Sequence, residues 1–177
     1  MARFVSTAEK RKEREVKIGI IVYSMTGHTL AVATELQDAL SAAGHDVHLE
    51  PLRAAGPASL GAADAPLETV PEIDLYDALV FATPVRGGTP APPMVSYLEQ
   101  ITSLEGKRVG CLVTGIFPAG WGRNQTLAQM AETCASKGAT ICGSGSVGWW
   151  SLGRRRQIAE VVDNLAGCLK QLSRVPE

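Results

Sequence analysis

The sequence predicts an α/β protein in which a parallel sheet is covered on both faces by helices. Two observations lead there. Five short, apolar runs rich in β-branched residues recur at 17–23, 46–51, 76–83, 108–114 and 139–143. They alternate with segments whose apolar residues fall at helical spacing, and strands separated by helices lie parallel and are buried on both faces. A chain of 177 residues with 45% apolar residues and 18 glycines suits one such domain, here 16–177. No repeat or second domain is visible.

Residues 1–15 precede the first strand. They interleave Lys10, Arg11, Lys12 and Arg14 with Glu9, Glu13 and Glu15, which reads as a charged N-terminal tail. They contain no apolar h-region, so no signal peptide is expected. The first strand, Lys17–Tyr23, runs into Ser24-Met25-Thr26-Gly27-His28-Thr29, a loop with three hydroxyls and one glycine. From Leu30 the period turns helical, with Leu30, Ala33, Leu36 and Leu40 on one face and Gly44 as the stop. Such a loop presents unpaired N–H groups and the positive end of a helix dipole, so it suits an anion. No Lys or Arg occurs between Lys17 and Arg53. A phosphate there is therefore expected to rest on backbone amides and on the hydroxyls of Ser24, Thr26 and Thr29, unlike a P-loop.

Asp46–Pro51 is the second strand, and residues 53–73, rich in Ala, Gly and Pro, form a long connection with room for one short helical turn. His45 and His48 have no third ligand nearby and read as surface or strand histidines. The third strand, Tyr76–Thr83, ends in a turn dense with Pro and Gly, Thr83–Pro90. A helix follows with Met94, Tyr97, Leu98 and Ile101 aligned. The fourth strand, Arg108–Thr114, opens into a glycine-rich loop from Gly115 to Arg123. The next helix aligns Leu127, Met130, Ala131 and Cys134 and stops at Gly138. After the fifth strand, Ala139–Gly143, a last helix runs from about Arg154 to Leu172.

Net charge is −1 and the pI is near 6.3, so neither nucleic acid nor an acidic membrane surface is an expected partner. No run is long enough to span a membrane. The four cysteines, Cys111, Cys134, Cys142 and Cys168, form no CxxC and no metal spacing with histidine. They are expected to be buried, reduced and apolar in role, which fits a cytoplasmic location. No Ser-His-Asp set, paired catalytic carboxylates or metal motif is present, so no catalytic residue is assigned. Gly143-Ser144-Gly145-Ser146-Val147-Gly148 spells GxGxxG, the dinucleotide fingerprint, but that motif opens directly into a helix. Here Trp149 to Gly153 intervenes. The glycines are expected to shape the turn after the fifth strand, and Trp149-Trp150 to serve packing or a subunit contact.

Open sheets of this kind bind ligands beyond the carboxyl ends of their strands, where the strand order switches. The three conspicuous loops follow strands one, three and four. The first, Tyr23-Ser24-Met25-Thr26-Gly27-His28-Thr29, resembles the first FMN loop of flavodoxin-like proteins, and most of all the tryptophan-repressor-binding-protein branch, the NAD(P)H:quinone oxidoreductases. Thr83-Pro84-Val85-Arg86-Gly87-Gly88 matches that branch's Thr-Pro-x-Arg loop, which lies along the isoalloxazine ring; Gly87 stands where the relatives usually have Phe. Thr114-Gly115-Ile116-Phe117, with Gly120, Trp121, Gly122 and Thr126, resembles its third loop. Arg123 reads as a solvated residue at the start of the helix that follows, the alternative being contact with a cofactor or NAD(P)H.

The resemblance implies a flavodoxin-like three-layer sandwich whose five-stranded parallel sheet has the order 2-1-3-4-5. It implies FMN held by all three loops, with Thr83 and the backbone after Pro84 on the flavin's polar edge, Arg86 as a cation beside the ring, and Phe117 or Trp121 over a face. It further implies an oxidoreductase that passes electrons from NAD(P)H to a quinone or similar acceptor, and a homo-oligomer. The alternative is a flavodoxin-type electron carrier acting with protein partners. The branch's extra segment after the third helix is absent here, since Ile101–Lys107 leads straight into strand four.

Overall fold

The apolar runs become strands because their β-branched residues find cover on both sides. The structure is a computed structural model, and it describes residues 15–56 and 66–170. Its elements in chain order are β1 (Lys17–Val22), α1 (His28–Ala42), β2 (Asp46–Pro51), β3 (Ala78–Arg86), β4 (Thr89–Pro90), α2 (Pro92–Gln100), β5 (Arg108–Gly115), α3 (Asn124–Ser136), β6 (Thr140–Gly148) and α4 (Arg154–Lys170). The parallel strands lie in the order β2-β1-β3-β5-β6, with the short β4 paired to β3 alone. Apart from β4, this is the expected order of a flavodoxin-like fold. The charged tail and the proposed helical turn of the long connection fall mainly on 1–14 and 57–65, outside the described residues.

Alternation along the strands divides the core in two. Ile18, Ile20 and Val22 of β1 face α1 and α4, where Val32, Leu36, Leu40, Ile158, Leu165 and Leu169 complete one cluster. Ile21, Leu79 and Phe81 face the other way, into Met94 and Tyr97 of α2 and Met130 and Cys134 of α3. The buried stripe of α1 is Thr29, Val32, Ala33, Leu36 and Leu40. Leu30, expected on that stripe, is instead exposed, because the stripe begins one residue earlier, at Thr29. Among the described residues, no helix is long and apolar enough to cross a membrane.

Two segments expected to be irregular are ordered strand. β3 runs on to Arg86 and folds back through Gly87 and Gly88, whose φ values are +60° and +80°. Two central residues at positive φ make the tight hairpin turn that matches strand twist, and glycine enters it without steric cost. The Gly143–Gly148 motif likewise lies inside β6 rather than in a turn after it. Its glycines admit α4: a Cβ on Gly145 would lie 2.6 Å from both Val161 methyls, and one on Gly143 would lie 2.9 Å from Asn164 Oδ1.

The third departure concerns sulfur. Cys142 and Cys168, expected to be reduced, form a disulfide with their Cα atoms 5.5 Å apart. Its cause is a β-bulge: Val109 pairs with Ile141 and Gly110 with Gly143, so Cys142 is the extra residue. Consecutive residues 142 and 143 both come to address α4. Cys111 and Cys134 are buried free thiols as expected. The Cys134 side chain, hydrogen-bonded to Cys111, and burial together push the Cys111 thiol well above its usual range.

Candidate functional site

The C-terminal ends of β1, β3 and β5 lie side by side and deliver the three conspicuous segments to one edge of the sheet. Two adjoining cavities open there, of about 220 and 250 Å³. Val85, Gly115 and Ile116 border both.

The first cavity lies against the start of α1. From the first loop it takes Met25, Thr26, His28 and Thr29; from the β3 ribbon, Pro84, Val85 and Arg86; from the third segment, Thr114, Gly115 and Ile116. Ser24 stands behind this wall. Its Oγ accepts the N–H of Gly27 at 3.1 Å and of Leu30 at 3.3 Å, which fixes the loop before the first helical turn. Gly27, the residue before α1, has φ +86°. The first N–H groups of a helix have no partner within it, and among the described residues nothing else takes those of His28 and Thr29. Thr29 is buried, with its Oγ1 2.7 Å from Thr114 Oγ1, so this pair ties the first loop to β5. Arg86 Nη1 donates to Met25 Sδ, bridging the second segment to the first.

The second cavity lies between the hairpin and the third segment. Gly87 and Gly88 form one side; Phe117, Trp121 and Arg123 the other. Phe117 and Trp121 are 61% and 72% exposed and stack on each other with centroids 6.1 Å apart, so neither ring is spent on the core. Between them the chain makes an irregular turn, Ala119–Arg123, broken at Trp121 and Gly122. Gly122 has φ +108°, and a Cβ there would lie 2.9 Å from Gly88 Cα. The two segments thus meet glycine to glycine. Gly120 in the same turn has open space around it. Thr126 is buried one turn into α3 and donates to Gly122 O at 2.7 Å, anchoring the turn.

Thr83 borders neither cavity. It is fully buried, and its Oγ1 accepts the Ala91 N–H at 3.2 Å, holding the base of the hairpin. Arg123, expected in solvent, is 6% exposed, because its side chain lies across Gly115 and Gly148, which have no side chains to exclude it. Burial lowers its pKa from the usual guanidinium value. Neither cavity lining includes a carboxylate.

Trp149 was not among the expected site residues. It stacks on His28 with ring centroids 3.8 Å apart and planes 18° from parallel, and it completes the first cavity. Its backbone N–H donates to Gly115 O at 2.8 Å, and Arg154 lies 4.6 Å over its ring. It directly follows β6, the strand that neighbours β5, and so reaches the same sheet edge; with that strand read as ending at Gly143, its place was not legible in the sequence. Trp150 is 78% exposed.

The model of the family described as NADPH-dependent FMN reductase matches residues 16–149, which include both cavities. A Cupriavidus metallidurans protein named NAD(P)H dehydrogenase (quinone) is 29% identical over 140 residues, covering 72% of this chain and 70% of its own length. NAD(P)H dehydrogenase (quinone) 3 of Rhizobium meliloti is 33% identical over 103 residues, 53% of this chain and 49% of that protein. Among solved structures, a flavodoxin, WrbA-like protein of Agrobacterium tumefaciens superposes with a TM-score of 0.67 at 14% identity, covering 90% of this chain and 98% of its own. A flavoprotein of Lactobacillus acidophilus in complex with FMN gives 0.59 at 17% identity, covering 82% and 98%.

Proposed function

Because this chain belongs to the NADPH-dependent FMN reductase family, we propose that it is an FMN-dependent oxidoreductase that carries electrons from NAD(P)H to a quinone or similar acceptor. The observation that carries the reading is the convergence of three chain segments, all within the matched residues, on two adjoining cavities at the strand ends.

The cavities suit FMN in size and chemistry. Each alone is smaller than the roughly 300–1,000 Å³ typical of pockets for drug-sized ligands, and together they fall in that range. The N–H groups at the start of α1 and the Thr26 hydroxyl form a phosphate cradle without a lysine. The His28–Trp149 stack closes its side. Val85 and Ile116 offer apolar contact where the cavities join, and Arg86 adds a positive charge that also favours a nicotinamide phosphate. FMN, when bound, accepts a hydride equivalent and releases two electrons; the overall change is NAD(P)H + H⁺ + quinone giving NAD(P)⁺ + quinol. The chain's part is to hold, orient and electrostatically bias the cofactor.

One observation favours a second reading, a flavodoxin-type carrier. Between α2 and β5 the chain makes only a tight connection, with Leu104 N–H on Lys137 O and Lys107 N–H on Leu104 O. It has no added segment for a nicotinamide pocket. The test is anaerobic: load the protein with FMN, desalt, add NADH or NADPH, and follow the visible flavin band. Bleaching much faster than that of free FMN supports the enzyme. Retained FMN that stays oxidised under excess nicotinamide makes the protein a carrier.

A further inference from the structure

Arg123 is 6% exposed, and its Nε is inaccessible and has no hydrogen-bond partner among the described residues. A largely buried cation gains from a counter-charge, and the lining of the second cavity supplies none. The burial is built in. A Cβ on Gly115 would lie 3.0 Å from Arg123 Cγ, and one on Gly148 would lie 3.0 Å from Arg123 Nη2. Two strand ends thus omit side chains where this residue passes, and it borders the second cavity.

We propose that the second cavity receives the pyrimidine edge of the flavin ring, and that Arg123 is the cation that holds the ring's negative charge on reduction. This rests on FMN occupying the two cavities. The oxidised ring is neutral, so the guanidinium gains little from it. Two electrons and one proton give it a net charge: FMN + 2e⁻ + H⁺ → FMNH⁻, the electrons coming from NAD(P)H. A fixed cation beside the ring favours that charged form over the neutral one. Arg86 is placed otherwise, since it borders only the first cavity and donates to Met25.

The experiment measures the two-electron potential of the FMN-loaded protein against pH, with a photochemical donor supplying electrons, for wild type, R123Q and R123K. The pH above which reduction takes up one proton per two electrons rather than two is expected to lie about one unit lower in wild type than in R123Q. R123Q should also lose its preference for reduced over oxidised FMN by about tenfold, a fall of about 30 mV, while R123K keeps the wild-type transition pH. An unchanged potential and transition pH in R123Q overturn the proposal. So does an equal shift in R123Q and R123K, which traces to packing rather than charge. If R123Q does not fold or hold FMN, the wild type decides alone: reduced flavin that protonates at the same pH as free reduced FMN overturns it. Wild type that retains no FMN removes the cavity assignment itself. Failure of NAD(P)H to act does not touch this test, because the electrons come from elsewhere.

Discussion

Replacing Gly122 by alanine puts a methyl group where the hairpin and the third segment touch. The added Cβ would lie 2.9 Å from Gly88 Cα, and because that atom is backbone, no rotamer change relieves the clash. The φ of +108° adds a conformational cost of about 1–2 kcal/mol for a residue with a Cβ. Overpacking adds about 1–3 kcal/mol. The nearest relief is for the two segments to part, which opens the second cavity. If FMN needs the closed arrangement, its apparent affinity falls with the closed fraction. A cost of about 2 kcal/mol already corresponds to roughly 30-fold weaker binding. Quenching of flavin fluorescence during titration measures this. Gly120→Ala is the matched control, since a Cβ on Gly120 meets nothing within 4 Å. G122A binding FMN as tightly as wild type would refute the reasoning, as would equal weakening in G120A.

Other expectations follow from packing and sulfur. Gly145→Ala should destabilise by about 1–3 kcal/mol, lowering Tm by roughly 2–4 °C per kcal/mol in a chain of this size. Val161→Ala in the same chain should relieve it, and a thermal double-mutant cycle with purely additive effects would dismiss the contact. Thiol counting in denaturant should find two free cysteines before reduction and four after. Opening the bridge by Cys168→Ala should cost about 3 kcal/mol on the loop-entropy model; four reactive thiols without reductant would contradict it.

What the sequence disclosed was whatever depends on neighbours along the chain. β2 spans Asp46–Pro51 as read, and the apolar periods of α2, α3 and α4 put Met94, Met130 and Leu165 inside. What it hid depends on partners far away. Glycines argue against a strand, so β6 seemed to end at Gly143; it continues because α4 needs those positions empty. Pro84 and the glycine pair looked like a loop, although two adjacent glycines between Arg86 and Thr89 fit a two-residue hairpin. A bulge between residues 141 and 143 decides the disulfide, and spacing carries no trace of it. At the site, Met25, Thr26, His28, Arg86 and Ile116 were visible as loop residues after strands. The solvated reading of Arg123, preferred to cofactor contact because helix-start arginines are normally solvated, fails: its burial comes from Gly115 and Gly148, on two different strands. Thr83 was named for its motif, yet its hydroxyl is committed to the Ala91 N–H.

The two walls of the second cavity differ in mechanical character. One is the tip of β3, continuous with a strand buried over Ala78–Thr83 and pinned by its pairing with β4. The other is an irregular turn carrying two exposed rings and held at its far end by Thr126. The hairpin therefore acts as an anvil and the 116–122 turn as a leaf. A ligand in the second cavity would meet two aromatic rings on the leaf and bare glycine backbone on the anvil.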